Sequence, residues 1–231
     1  MEIGCGDGLV SSIFFRGKKN AVDVGIDLDI DELRRAEKTG IYKKLRRIDI
    51  TKNAFETNTF NTIFANGVLE HIPDLELAIK QISRILKPGG ELITTSPTAN
   101  YTRLLFYYRV LSNLNLYGLA QKYGNFINKT FAHRHLLTHE EWQLLLKRHH
   151  LIIKKYYFYN NSFITAIHDI SLPLALGTKL TKRRTDRMVL FPDWRARIIK
   201  KFSPIITQVL NSNANNTYEK NASILIIAQK K

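Results

Sequence analysis

The sequence predicts an α/β fold, a mostly parallel sheet with helices on both faces, and three observations carry that expectation. Over residues 1–97 short apolar runs alternate with helical segments, the order that βαβ units impose. A loop with glycine at every second position (Gly4, Gly6, Gly8) leads straight into an apolar stretch, Leu9 to Phe15. Aspartates close the next two apolar runs, Asp27 and Asp49. Open parallel sheets bind ligands beyond the carboxyl ends of their strands. Every one of these residues falls there.

The elements follow in order. The chain opens on Glu2-Ile3-Gly4-Cys5-Gly6-Asp7-Gly8. Glycines without a Cβ let this loop turn sharply and approach a ligand. The helix behind it would aim its free amides and positive dipole end at that ligand. Ala21–Ile26 reads as a strand closed by Asp27. Asp29 to Lys38 reads as a helix, acid-rich at its start, with Asp29 suited to its N-cap and Gly40 as its stop. Leu45–Ile50 and Thr62–Ala65 are the next two strands. Leu75–Leu86 places Leu75, Ala78, Ile79, Ile82, Ile85 and Leu86 on one helical face. Lys87-Pro88-Gly89-Gly90 then breaks the chain before a further strand, Glu91–Thr95.

The chemistry lies in the spacing. A dinucleotide loop would prefer Gly-x-Gly-x-x-Gly, with its third glycine one residue later. Here the pattern is Gly-x-Gly-x-Gly with an acid, Glu2, two residues ahead. Asp27 stands nineteen residues past Gly8, where a strand-end carboxylate accepts hydrogen bonds from both hydroxyls of a ribose.

Together these stretches resemble the class I S-adenosylmethionine-dependent methyltransferases. Glu2 to Gly8 is similar to that family's E/D-x-G-x-G-x-G cofactor loop. Phe60 to Asp74 resembles the fourth-strand signature of its methyltransferase type 11 group, which includes quinone-biosynthesis C- and O-methyltransferases. Arg84 to Leu92 is similar to the group's turn into the fifth strand. The likeness covers residues 2 to 97 and fades beyond Pro97. It implies a Rossmann-like class I methyltransferase sheet with an antiparallel last strand, and S-adenosyl-L-methionine as cofactor. The cofactor residues it implies are Glu2, Gly4, Gly6, Gly8, Asp27, Leu28, Asp49, Ile50 and Asn66. Asp49 would accept from the adenine amino group, with Ile50 beside the ring. In the family a complete first strand and usually a helix precede the loop, whereas Met1 stands here where that strand would end. The sequence thus leaves two expectations, an upstream truncation or a sheet short of its central strand.

His71 follows Glu70 near where the sulfonium would lie, and is the candidate general base. The alternative reading is that it merely begins the helix after the fourth strand. No metal is expected: His133, His135 and His139 lack a ligand spacing, and no cysteine supports them. Methyl transfer from a sulfonium needs none. His168 and Asp169 are adjacent in sequence and do not face each other on a helix.

Charge divides the chain. Residues 1–97 carry 14 Lys/Arg and 14 Asp/Glu, so the net +15 belongs wholly to residues 98–231, with 21 against 6. Such a field attracts phosphorylated small molecules, nucleic acid or an anionic lipid surface. This part is expected to complete the same domain, with helical caps at 98–137 and 160–215 and final strands at 151–159 and 222–228. Thr138 and Glu141 form a capping-box pattern. Within the second cap, apolar Phe163–Leu176 precedes the basic run Lys179–Arg187, with Arg195, Arg197, Lys200 and Lys201 beyond and an Asn-rich stretch at 211–216. Such a segment, like Tyr101–Arg109 where aromatic residues and arginines mingle, either lies in a membrane interface with its basic side chains on the headgroups, or packs on the sheet as a cap that encloses the acceptor.

A single cysteine, Cys5, forbids an internal disulfide, the opening carries no secretory signal, and no apolar run reaches 18 residues. The expected location is cytoplasmic, with peripheral membrane contact. The expected activity is methyl transfer to an oxygen or carbon of a small, glycan or lipid-linked acceptor. Two alternatives stand beside it: an RNA methyltransferase, favoured by charge but without a recognisable RNA-binding module, and a non-catalytic or truncated cofactor-binding fold.

Overall fold

A computed structural model describes residues 1–172 and 220–231. Its elements run β1 (Glu2–Ile3), α1 (Leu9–Phe14), β2 (Val22–Asp27), α2 (Ile30–Glu37), β3 (Tyr42–Arg47), β4 (Phe60–Asn66), a 3₁₀ turn at Leu69–His71, α3 (Leu75–Ile85) and β5 (Leu86–Pro97). There follow α4 (Tyr101–Leu104), α5 (Phe106–Asn113), α6 (Tyr117–Thr130), α7 (His139–Arg148), β6 (Leu151–Asn161) and β7 (Asn221–Lys230).

The seven strands form one sheet in the order β3-β2-β1-β4-β5-β7-β6. β1 to β5 run parallel, and β7 is antiparallel to β5. This is the predicted architecture, including the reversed strand. β1 is two residues long and bonded on both sides, Glu2 beside Gly25 and Phe64, Ile3 beside Ile26 and Ala65. The Met1 amine donates to the Thr62 carbonyl at 2.9 Å.

Helix ends follow the residues that cap them. The Asp29 carboxylate accepts from the amides of Asp31 and Glu32 and so starts α2. Asp74 accepts from Leu77 at the start of α3, and Thr138 and Glu141 complete the capping box of α7. α3 buries Leu75, Ala78, Ile79, Ile82 and Ile85, the stripe expected of it. A second cluster joins Cys5, Val22, Leu33, Ala36, Ile41 and Tyr42 under the glycine loop.

Two expectations shift. β3 ends at Arg47, three residues before the predicted limit, so Asp49 lies in the loop beyond the strand. Lys87-Pro88-Gly89-Gly90 does not interrupt β5. Its register against β4 jumps from Phe60–Leu86 to Thr62–Glu91, so the glycines form a bulge within a continuous strand.

The chain comprises two compact units. One consists of Met1–Ala99, Lys129–Tyr157 and Ser223–Lys231, and the other of Asn100–Asn128 and Phe158–Ala222. In the second, residues 162–172 are helical. The basic run Lys179–Arg187, the cluster Arg195–Lys201 and the Asn-rich stretch lie outside the described residues, as does the end of the Phe163–Leu176 stretch.

Candidate functional site

At the carboxyl ends of β1, β2 and β4 the first unit encloses a cavity of about 580 Å³, well within the range of small-ligand sites. Gly4, which opens the glycine loop, lines it. Gly4 sits at φ +63°, and a Cβ there would lie 2.4 and 2.7 Å from the two methyls of Val68. The loop therefore closes over β4 only because Gly4 has no side chain. Gly6, at φ +51°, has nothing within 4 Å of where its Cβ would be. That space is open to a ligand.

Acids shape the loop from two sides. Glu2 is 5% exposed and accepts the Ser11 hydroxyl at 2.6 Å and the Tyr42 hydroxyl at 2.8 Å. Burial raises its pKa, with those two bonds opposing the shift. Glu2 thus ties the loop to α1 and β3 from behind and does not line the cavity. Asp27 lines it from the end of β2. Its Oδ2 accepts the Gly6 amide at 2.8 Å and its Oδ1 the Asp29 amide at 3.0 Å. A carboxylate has about four lone-pair sites, so capacity remains for a ligand.

Asp49 lines the opposite side. Its Oδ1 takes both the amide and the hydroxyl of Thr51, at 2.9 and 2.7 Å. The hydroxyl bond is the main reason its carboxyl titrates below the usual value. Oδ2 has no hydrogen-bond partner among the described residues. Leu28, Ile48 and Ile50 supply apolar walls between the two aspartates, the setting for a flat ring held at its edge.

Beyond β4 the chain folds back over the cavity as Gly67, Val68, His71, Ile72, Pro73 and Asp74. His71 Nδ1 lies 3.2 Å from the Ala132 carbonyl. A carbonyl only accepts, so Nδ1 is the donor in that contact and Nε2 is the ring nitrogen left for other partners. Nε2 lies 3.9 Å from Glu70 Oε1. Glu70 is 2% exposed, its Oε2 has no hydrogen-bond partner, and burial raises its pKa. The Glu70 carbonyl receives the amides of Arg134 and His135. His71 stacks on His133 at 5.7 Å, and His133 on Phe131 at 5.8 Å.

Of the sequence-predicted site residues, Gly4, Asp27, Leu28, Asp49, Ile50 and His71 line the cavity. Gly6 is held at its edge by Asp27. Gly8 lies deeper, where a Cβ would be 3.0 Å from the Tyr42 ring and 3.3 Å from the backbone of Ala36. Asn66 accepts the Thr95 hydroxyl at 2.7 Å, and that hydroxyl accepts the Gly67 amide, so it fixes the turn out of β4. Sequence reasoning missed Ile48, Thr51, Val68, Ile72 and Pro73 as lining residues. Thr51 could have been found, two residues past an aspartate in a turn. Val68 could not, since only the fold brings it under Gly4.

A family model described as a methyltransferase domain matches residues 1–94, which hold all the predicted site residues. The ubiquinone biosynthesis O-methyltransferase of Bos taurus mitochondria is 29% identical over 132 residues, covering 53% of this chain and 34% of the relative. The ubiquinone biosynthesis O-methyltransferase of Coxiella burnetii is 29% identical over 110 residues, covering 46% of each. This chain spans a third to a half of the length of these curated relatives. The same fold occurs in geranyl diphosphate C-methyltransferase from Streptomyces coelicolor A3(2), with a TM-score of 0.57 at 16% identity, covering 100% of this chain and 70% of that one. That protein was solved with Mg²⁺, geranyl diphosphate and S-adenosyl-L-homocysteine.

Proposed function

We infer that this chain, whose residues 1–94 match a methyltransferase-domain model, transfers a methyl group from S-adenosyl-L-methionine to an oxygen or carbon of a small acceptor. A single observation carries the reading. Asp27 and Asp49 line one cavity together with Leu28, Ile48 and Ile50 and with Gly4 of the glycine loop.

The residues fit the cofactor. Asp27 retains lone pairs for ribose hydroxyls. The partnerless Oδ2 of Asp49 suits an adenine amino group between Ile48 and Ile50. The space left by Gly6 admits the amino-acid end. When bound, the cofactor supplies an electrophilic methyl on a sulfonium.

The chain's own residues do the rest. Holding two reactants in line supplies most of the acceleration in such a displacement. A base helps only where the acceptor must lose a proton. His71 Nε2 is the atom placed to take that proton, because Nδ1 is committed to Ala132. The imidazolium so formed would face the Glu70 carboxylate at 3.9 Å, an opposite charge that favours the protonated ring. Two curated relatives are named O-methyltransferases, which puts a hydroxyl first among acceptors and gives this base a task. Glycan and lipid-linked hydroxyls belong to the same chemistry.

Calorimetry with S-adenosyl-L-homocysteine tests the cofactor assignment. Asp27→Ala removes acceptors for two hydroxyls and the anchor of Gly6, and should weaken binding by about 1–3 kcal/mol. Unchanged affinity would remove Asp27 from the site. His71→Gln should leave that affinity alone and slow methyl transfer about 10²–10⁴-fold. An unaltered rate would leave His71 a turn residue.

A further inference from the structure

The second unit carries an exposed apolar surface among basic residues. Residues 92–139 contain no aspartate or glutamate. Among the described residues of this unit the exposed charges are those of Arg103, Arg109, Lys122 and Lys220. Among those described residues the one carboxylate, Asp169, is 1% exposed and engaged in the fold. Asp169 accepts the Tyr107 amide at 3.0 Å and the Tyr123 hydroxyl. It thereby caps α5, whose own N-cap residue, Leu105, offers no side-chain acceptor. Among the described residues of this unit the exposed charges are therefore all positive.

Within that field lies an apolar helix with nothing buried. α5 reads Phe-Tyr-Tyr-Arg-Val-Leu-Ser-Asn, and none of its residues is buried. Phe106, Val110 and Leu114 recur four residues apart, on one helical face, and all are exposed. The chain turns at Asn115 (φ +58°) and continues through Leu116, Tyr117 and Leu119, also exposed. Leu114 and Tyr117 reach 63% and 64%. An apolar patch of this kind marks an interaction site.

The patch sits at the tip of a hairpin secured at its base. Tyr107 packs edge-on against Tyr123 at 5.7 Å. The Asn128 amide donates to the Thr102 hydroxyl at 3.1 Å. A Cβ on Gly124 would lie 2.3 Å from Thr102 Cγ2, so α6 meets its neighbour at backbone range. The residues holding the base are distinct from those exposed at the tip.

We propose that the α5–α6 hairpin is a membrane-interface anchor. It seats Leu114, Leu116, Tyr117 and Leu119 among the acyl chains of an anionic lipid surface and places Arg109 and Lys122 at the headgroups. Charge decides the occupant. A second copy presenting the same face would set Arg109 and Lys122 against their like, with no exposed carboxylate among the described residues of that unit to pair them. A nucleic acid would use the cations and leave the leucines in water. An anionic bilayer satisfies both, because each cation near it contributes roughly 1 kcal/mol and apolar side chains anchor at its interface.

Flotation of the full chain tests this with vesicles of phosphatidylcholine alone or mixed with phosphatidylglycerol. Wild type should float with the anionic vesicles. Changing Leu114, Leu116 and Leu119 to Ser alters only exposed positions, and circular dichroism and S-adenosyl-L-homocysteine affinity should match wild type. Its partition should fall by about tenfold or more. Arg109→Gln with Lys122→Gln should lower the preference for anionic vesicles. The proposal is overturned if wild type stays at the bottom at low salt, or if the triple variant floats as wild type does. It is equally overturned if the triple substitution instead abolishes a lipid-free dimer in sedimentation, or if wild type binds single-stranded RNA and no vesicle. Loss of cofactor affinity with flotation intact would count against the methyl-transfer reading alone.

Discussion

Gly4→Ala is the substitution whose consequence the structure specifies most fully. Two costs add. The position has φ +63°, a left-handed conformation that costs a residue with a side chain roughly 1–2 kcal/mol. The new Cβ also meets Val68 at 2.4 and 2.7 Å. Both methyls stand in the way, so one χ1 step clears only one of them, and valine is stiff there. Overpacking of this kind costs about 1–3 kcal/mol. The sum is on the order of 2–5 kcal/mol, taken partly from stability and partly from cofactor affinity, since Val68 lines the cavity. Urea unfolding and calorimetry with S-adenosyl-L-homocysteine would measure the two shares. Adding Val68→Ala removes the second cost and leaves the first. A double-mutant cycle should therefore show favourable coupling of about 1 kcal/mol or more. Coupling below about 0.5 kcal/mol would mean that Gly4 and Val68 do not meet, and the account of the loop would fail.

Two further predictions concern titration. Asp49 is held below its ordinary pKa chiefly by the Thr51 hydroxyl, so its contribution is present above the ordinary carboxylate value and lost as pH falls through the lowered one. Thr51→Val should raise the Asp49 pKa, read by carboxyl carbon resonance, and an unmoved resonance would deny the bond. Glu70 is raised by burial, so its contribution is present below the ordinary glutamate value and lost as pH rises through the folded one. Glu70→Gln should therefore stabilise the fold above that range, by about 1–3 kcal/mol in urea unfolding, and slow methyl transfer to a hydroxyl. Equal stability of the two proteins at every pH would show that the ionised Glu70 is not penalised.

Much of the site was legible because its residues announce themselves by local chemistry. Gly4, Gly6, Asp27 and the cap Asp29 are fixed by conformation or by bonds to neighbours a few residues away. The third strand was misplaced for a physical reason. Tyr42 and Leu45 face inward from a strand otherwise made of Lys and Arg, while the more apolar Ile48 and Ile50 line the cavity. Apolarity there marks a ligand wall, which periodicity cannot distinguish from a strand. Lys87-Pro88-Gly89-Gly90 reads as a breaker because two glycines favour a turn, yet a bulge uses the same residues. The contacts that stayed hidden join distant residues: Val68 under Gly4, Tyr42 on Glu2, Ala132 on His71. No local pattern encodes them. The bare face of α5 was legible only in part: aromatic residues and arginines mingle at 101–109, but sequence does not tell an exposed apolar run from one that packs on the sheet.

The central claim is that one cavity, bounded by the glycine loop, Asp27 and Asp49, holds S-adenosyl-L-methionine. Calorimetric titration of the chain with S-adenosyl-L-homocysteine, set beside a titration with NADH, tests it most directly. The account predicts one-to-one binding of the first ligand, weakened in both Asp27→Ala and Asp49→Ala, and no binding of the second. Tight binding of NADH, or S-adenosyl-L-homocysteine affinity indifferent to both aspartates, would contradict it.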